Sequence, residues 1–312
     1  MHRTPILHHY PESPFAEKAR LMLGFKQLSW GSVHIPRIMP KPDLTALTGG
    51  YRKTPVLQIG ADIYCDTALI ARRLEAEKAS PALFPEGLEL VVAAFAQWAD
   101  SLVFRTVITL SFQPETLSAR LAGLPTAAVQ AFIADRSAMF KGGTAPRVTV
   151  EEARSTWDVL MARLEQQLSR ESDDFLFGPP SVADFALAHS LWFTQQSPAT
   201  VALLEGYPAV GTWLRRVLDI GHGSAHPVTA EEALAIARQA EPAPLPDTPS
   251  VDPNGFQPGQ QVAIRAVDYG IDPVEGELIY TSHEELILRR EDERAGVVHV
   301  HFPRLGFAIE GR

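Results

Sequence analysis

The chain of 312 residues contains a single cysteine, Cys65, which leaves no internal disulfide framework and no cysteine-rich metal site and fits a reducing compartment. Long apolar runs are missing too. Nothing approaches the roughly 18 to 20 uninterrupted apolar residues needed to cross a bilayer, and Met1-His2-Arg3-Thr4-Pro5 lacks the apolar stretch of a secretory signal. The expectation is a soluble, cytoplasmic protein with no membrane partner. Basic residues are in deficit, 28 Lys and Arg against 37 Asp and Glu for a net charge of -9. Nucleic-acid binding depends on neutralising phosphates with Lys and Arg, so nucleic acid is not an expected partner. Hydrophobic residues make up 46%, enough at this length for more than one core.

Three blocks follow along the chain. Residues 1–80 alternate in pattern: strands at Ile6 to His9, Trp30 to His34, Val56 to Ile59 and Ile63 to Cys65, and helices from Pro14 to Phe25 and from Thr67. Phe15, Ala19, Met22 and Leu23 fall on one face of the first helix, which predicts a small α/β unit. Residues 86–240 keep a helical period, with stripes at Val91, Phe95, Trp98 and Leu102, at Trp157, Leu160, Leu164 and Leu168, and at Trp213, Leu214, Val217 and Leu218. This predicts an all-helical domain. Ser181 with Asp184 and Thr229 with Glu232 have the spacing of capping boxes.

Residues 241–258 hold six prolines and predict an extended linker. Residues 259–312 hold five short β-like runs, Gln261 to Val267, Gly276 to Thr281, Glu285 to Arg290, Val297 to Phe302 and Phe307 to Glu310. They predict a small all-β, SH3-like barrel, because closure removes exposed strand edges. From Asn254 onward six arginines and no lysine face ten acidic residues, again unsuited to nucleic acid.

Three short signals stand in order in the first block: Ser13-Pro14-Phe15 after a strand, Lys53-Thr54-Pro55-Val56, and Asp66-Thr67 opening a helix. Each has a plain reading, as a helix cap, a strand-initiating proline and a second helix cap. Ser13 also has a chemical reading, since a hydroxyl beside Pro14 in a first helical turn sits where amides and the positive dipole end favour an anion. Residues 30–55 carry Arg37, Lys41, Arg52 and Lys53 against Asp43, a local excess of +3 on an acidic protein. His8-His9 and His299-Val300-His301 have no acidic or cysteine companions nearby in sequence, so no metal is expected.

The order strand, Ser-Pro-Phe helix, Thr-Pro-Val strand, Asp-Thr helix and helical domain with a Ser-x-x-Asp box resembles the cytosolic glutathione transferases, particularly their serine-type classes. The resemblance covers roughly Pro5 to Ile220. It implies a thioredoxin-like domain packed on a helical domain, assembled as a homodimer, with glutathione as co-substrate. The tail after about Asn254 has no place in that pattern.

By the same resemblance Ser13 donates a hydrogen bond to the glutathione thiolate, with Tyr10 as second choice, and Pro55 is cis, so that the Thr54 backbone meets the cysteinyl part. Lys41 and Lys53 would take the glycyl carboxylate, and Asp66 and Thr67 the γ-glutamyl ammonium and carboxylate. The family more often has Glu-Ser at this last pair. A small apolar electrophile is expected between the domains, near Tyr10, Phe15, Trp98, Leu102 and Arg105 and a wall from Gln113 to Phe140. The alternative is a non-catalytic scaffold whose barrel recruits a partner.

Overall fold

The computed structural model describes residues 4–170 and 174–312. In the first block, β1 (Ile6–His9), α1 (Pro14–Phe25), β2 (Ser29–His34), α2 (Pro42–Thr48), β3 (Val56–Ile59), β4 (Asp62–Cys65) and α3 (Thr67–Glu77) follow in order. The strand periodicity sorts side chains between two cores. Leu7, Leu57 and Tyr64 enter a core shared with α1, α3 and the helical block, while Ile6, Val56, Ile63 and Cys65 enter a second core on the opposite sheet face.

The helical block contains α4 (Glu89–Trp98), a π-helical turn (Ala99–Val103), α5 (Phe104–Ser111), α6 (Pro114–Arg120), α7 (Thr126–Met139), α8 (Val150–Leu168), α9 (Val182–Gln195), α10 (Pro198–Val201) and α11 (Pro208–Leu218). The continuous stretch Glu89–Ser111, with a mean hydropathy of 1.3 in its most apolar window, is by length and composition long and apolar enough to cross a membrane. It carries Asp100 and Arg105, and Val92, Ala96, Ala99 and Val103 bury its inner face in the same core as α9. Both expected capping boxes form, and a third starts α8 with Thr149 and Glu152.

The helical packing ends at α11, earlier than the expected residue 240. Ser224–Pro227 forms β5, a strand pairing parallel with β2. The following α12 (Ala230–Gln239) buries Ala233, Leu234 and Ala237 in the second core, against the α/β sheet. Its start is where the Thr229–Glu232 capping box predicts it, but the surface it covers is set by β5, which returns the chain to the sheet.

The proline-rich segment is extended yet pinned. Ala243 donates its amide to Asp62 Oδ2 at 2.8 Å, Val251 to the Thr281 carbonyl at 2.9 Å, and the Thr248 hydroxyl meets Tyr280 at 2.7 Å. Five strands follow: β6 (Gln261–Ala266), β7 (Val274–Thr281), β8 (Glu285–Asp292), β9 (Gly296–Pro303) and β10 (Phe307–Gly311). Their edges are handled differently from a separate barrel. The paired order is β10-β6-β7-β8-β9-β4-β3-β1-β2-β5, so β9 covers its outer edge by parallel pairing with β4 of the first block.

His8 on β1 is 2% exposed, and burial lowers its pKa to about 4. Gln58 donates its amide to the carbonyls of Gly60 and Ala233, so its Oε1, 2.8 Å from His8 Nε2, accepts from a neutral His8. The unfolded chain therefore binds the proton first as pH falls below the ordinary value of 6.5. Stability should drop by about 2 kcal/mol for His8 alone between about pH 7 and about pH 5, above the range where most carboxylates titrate. Buried His9, its pKa lowered to about 3, adds a loss in the same direction. Urea unfolding across that window measures the slope, and a flat profile contradicts it.

Candidate functional site

Ser13 occupies the N-cap of α1. Its extended backbone (φ -74°, ψ 121°) turns Oγ toward the Ala16 amide, which donates to it at 3.2 Å, and Pro14 fills the first helical position. The hydroxyl hydrogen remains available to an acceptor, at the helix end where backbone amides favour negative charge. Ser13 is 3% exposed. Tyr10 lies one turn back, its carbonyl accepting from the Ser13 amide at 3.2 Å.

The Thr54–Pro55 peptide bond is cis, and Thr54 Oγ1 accepts from Lys41 Nζ at 3.0 Å. Lys41 is almost wholly buried, and that burial, with the nearby Arg136 and Arg52 cations, lowers its pKa to about 8. An amine so placed gains from an arriving carboxylate, and a shifted group in such a setting marks a functional candidate.

Asp66 caps α3, accepting from the Ala68 amide at 2.9 Å, and holds a φ of 76°, a backbone region that side chains other than glycine seldom occupy. Burial pushes its carboxyl up, against the opposing pull of Lys53 and Lys18. Thr67 beside it is buried, and its hydroxyl accepts from Lys18 Nζ at 3.2 Å.

Lys18 and Asp100 were not anticipated as site residues. Lys18 Nζ, besides Thr67, meets Asp100 Oδ2 at 2.5 Å, and Asp100 Oδ1 lies 3.0 Å from His189 Nε2. These contacts hold the Asp100 carboxyl below its usual range in spite of burial. The sequence did carry a signal, since Asp100 interrupts the apolar run of α4 and α5; the structure adds that it stands in a π-helical turn, a feature common at functional sites.

The cations of residues 30–55 largely meet carboxylates of the same chain. Arg37 pairs with Glu12, and Arg52 with Asp135 at 2.8 Å and Asp272 at 3.6 Å. Lys53 pairs with Asp268 at 2.6 Å. Asp268 and Asp272 lie in the loop between β6 and β7, so the C-terminal extension reaches Arg52 and Lys53 directly. Tyr269 in that loop places its ring 4.2 Å from Lys53 Nζ and 4.9 Å from the Phe140 ring. Its hydroxyl pKa is raised by burial and by the carboxylates of Asp268, Asp66 and Asp100. Nothing local to residue 269 announces this role.

The loop is anchored to the last residue of α7 and the segment after it. Gly270 donates to the Met139 carbonyl at 2.7 Å, Thr144 to Val267 at 2.9 Å and Ala145 to Asp268 at 3.1 Å. A Cβ on Gly143 would lie 1.6 Å from the Asp268 carbonyl oxygen, so only glycine permits this approach.

The residues expected around an electrophile make contacts on both sides of the sheet. Phe15 packs between Phe104 (4.6 Å) and His189 (4.7 Å), and Trp98 against Phe95 (5.0 Å), all on the helical side. Tyr10 leans on the second core instead. Leu102 is half-buried and its carbonyl accepts from the Thr106 hydroxyl, while Arg105 carries a buried Nε with no hydrogen-bond partner.

Comparison with known proteins agrees with the fold. The family profile described as "Glutathione S-transferase, N-terminal domain" matches residues 7–82, and that described as "Glutathione S-transferase, C-terminal domain" matches residues 147–216. A crystal structure of a GST-like protein from Pseudomonas syringae is 56% identical, with each chain covered over 100% of its length and a TM-score of 0.84. The chain belongs to the glutathione S-transferase family. Two further transferases share the fold at a TM-score of 0.51. One, from Rhodospirillum rubrum F11, is 19% identical over 69% of this chain and 88% of its own. The other, from Methylobacillus flagellatus KT and solved with glutathione bound, is 18% identical over 70% of this chain and 99% of its own. No curated protein matches the sequence significantly.

Proposed function

We propose that this glutathione S-transferase family member is a catalyst that binds glutathione, stabilises its thiolate and presents it to a small apolar electrophile, working as a cytoplasmic homodimer. The observation that carries the reading is the Ser13 hydroxyl at the buried N-cap of α1, with hydrogen-bonding capacity left over. The cis Thr54–Pro55 bond, the buried Lys41 and the Asp66–Thr67 cap support it, each offering a partner for one part of the tripeptide. Glutathione is bound by the Methylobacillus flagellatus enzyme of the same fold.

In this reading Ser13 Oγ donates to the sulfur, the Thr54 backbone pairs with the cysteinyl unit, and Lys41 and Lys53 hold the glycyl carboxylate. Asp66 takes the γ-glutamyl ammonium, while Thr67 and the α3 amides take its carboxylate. Lys18, fixed by Asp100, keeps the Thr67 hydroxyl oriented as a donor. The loop carrying Asp268 and Tyr269 covers the glycyl end, and Asp268 holds Lys53 much as a glycyl carboxylate would.

That competition can be measured by calorimetry. Asp268→Ala should bind glutathione more tightly than the natural protein, by up to about five-fold, since a half-exposed ion pair of this kind contributes about 0.2–1 kcal/mol. Weaker binding in the variant would make Asp268 part of the substrate wall. The internal pairing of Arg52 and Lys53 also favours a second reading, a scaffold that has given up glutathione. Failure of both proteins to bind millimolar glutathione would select it.

A further inference from the structure

We propose that Asp62, His299 and His301 form a binding site for a divalent transition-metal ion, zinc by ligand type, at the seam between the transferase fold and its C-terminal extension. The sequence places His299 and His301 two apart on β9, hence on one strand face, with no carboxylate nearby. The parallel pairing of β4 with β9 supplies one from a distance of more than two hundred residues, setting Asp62 opposite His299 and Tyr64 opposite His301.

Asp62 Oδ1 stands 3.1 Å from His301 Nε2 and 3.8 Å from His299 Nδ1, and the three atoms lie within 4.8 Å of one another. Zinc bonds to nitrogen and carboxylate oxygen are about 2.0–2.2 Å, so two ligands at a tetrahedral ion stand about 3.4 Å apart. The 3.1 Å and 3.8 Å distances from Asp62 Oδ1 bracket that spacing, so adjustments of a few tenths of an ångström bring both rings onto one ion. The outer partners are those a metal site uses. Glu285 Oε1 lies 2.6 Å from His301 Nδ1, which fixes the tautomer that leaves Nε2 free to ligate. The Ala243 amide donates to Asp62 Oδ2 at 2.8 Å, leaving Oδ1 toward the rings, and Tyr64 stacks on His301 at 4.3 Å. The side chains of Asp62, His301 and His299 are 3%, 8% and 14% exposed.

A protonated His301 bridging Asp62 and Glu285 would explain that chain of contacts without an ion. It does not explain His299, whose Nδ1 is buried with no hydrogen-bond partner although it faces the Asp62 carboxylate. A cation between the three groups satisfies this nitrogen as well. Two imidazoles and one carboxylate suit zinc among common ions and do not suit magnesium, which prefers oxygen ligands.

The test is a zinc chloride titration of the full-length protein after chelator treatment, read by calorimetry and by thermal midpoint. One zinc per chain, with a raised midpoint and no response to magnesium, is expected. His299→Ala gives up no hydrogen bond at Nδ1, so it should fold and yet bind zinc at least about a hundred-fold more weakly. Glu285→Gln should weaken binding about ten- to a hundred-fold, the range for partners that orient a ligand. No zinc response in the natural protein, or an equal response in His299→Ala, would overturn the site and leave Asp62, His301 and Glu285 as a hydrogen-bonded seam.

Discussion

Replacing Ser13 by alanine is expected to raise the pKa of bound glutathione's thiol toward its free value and to slow conjugation roughly ten- to a hundred-fold, while glutathione still binds. The magnitude is that of one hydrogen bond to a charged acceptor, about 1.5–3 kcal/mol. The hydroxyl also caps α1, and losing the cap costs about 1 kcal/mol of stability, so the two roles must be separated. Ser13→Gly separates them. Glycine caps nearly as well, within a few tenths of a kcal/mol, but has no hydroxyl. Both variants should lose thiolate stabilisation equally while differing in unfolding midpoint. Affinity and thiolate lost in equal measure would remove Ser13 from the role of sulfur donor.

Asp184→Ala should cost about 3–5 kcal/mol of stability, the largest folding effect expected from one substitution here. The fully buried carboxylate accepts from the amides of Leu176 and Ser181, both at 3.0 Å, and from Trp213 Nε1 at 2.9 Å. Alanine leaves three buried donors without an acceptor, at about 1–3 kcal/mol for each that water does not reach, and it removes half of a capping box. Asp184→Asn keeps Oδ1 for Leu176 and Trp213 but turns an amide group toward the Ser181 amide, so an intermediate loss is expected. Denaturant unfolding of the three proteins gives the order. Alanine and asparagine variants of equal stability would show that the Ser181 contact decides the outcome alone.

The caps and turns were legible because their chemistry is local. Ser13-Pro14 marks the start of α1, Asp66 that of α3 and Ser181 with Asp184 that of α9, each within four residues of the helix it begins. The helix α2 left a similar signature that sequence reading passed over: Pro42 opens it and Gly49, at a φ of 79°, closes it. β5 left none, since Ser224-Ala225-His226-Pro227 is exposed and has no apolar alternation; it exists because β2 offers an edge. The same physics explains what was hidden in the site. Lys53 reads as a free loop cation until Asp268 folds against it 215 residues later, and Tyr269 enters only because Gly143 lets its loop approach. Contacts of that separation depend on tertiary packing, which no window of local sequence contains.

The proposed catalysis requires a glutathione thiolate held by this chain. The most direct measurement follows the ultraviolet absorbance of the bound thiolate while the pH of a glutathione-saturated sample is raised from about 5 to about 9, around the free thiol pKa of about 8.5. A bound-thiol pKa clearly below the free value, returning toward it in Ser13→Ala, is the expected result. Glutathione that binds with its thiol unshifted, or that does not bind at all at millimolar concentration, would contradict the catalytic reading.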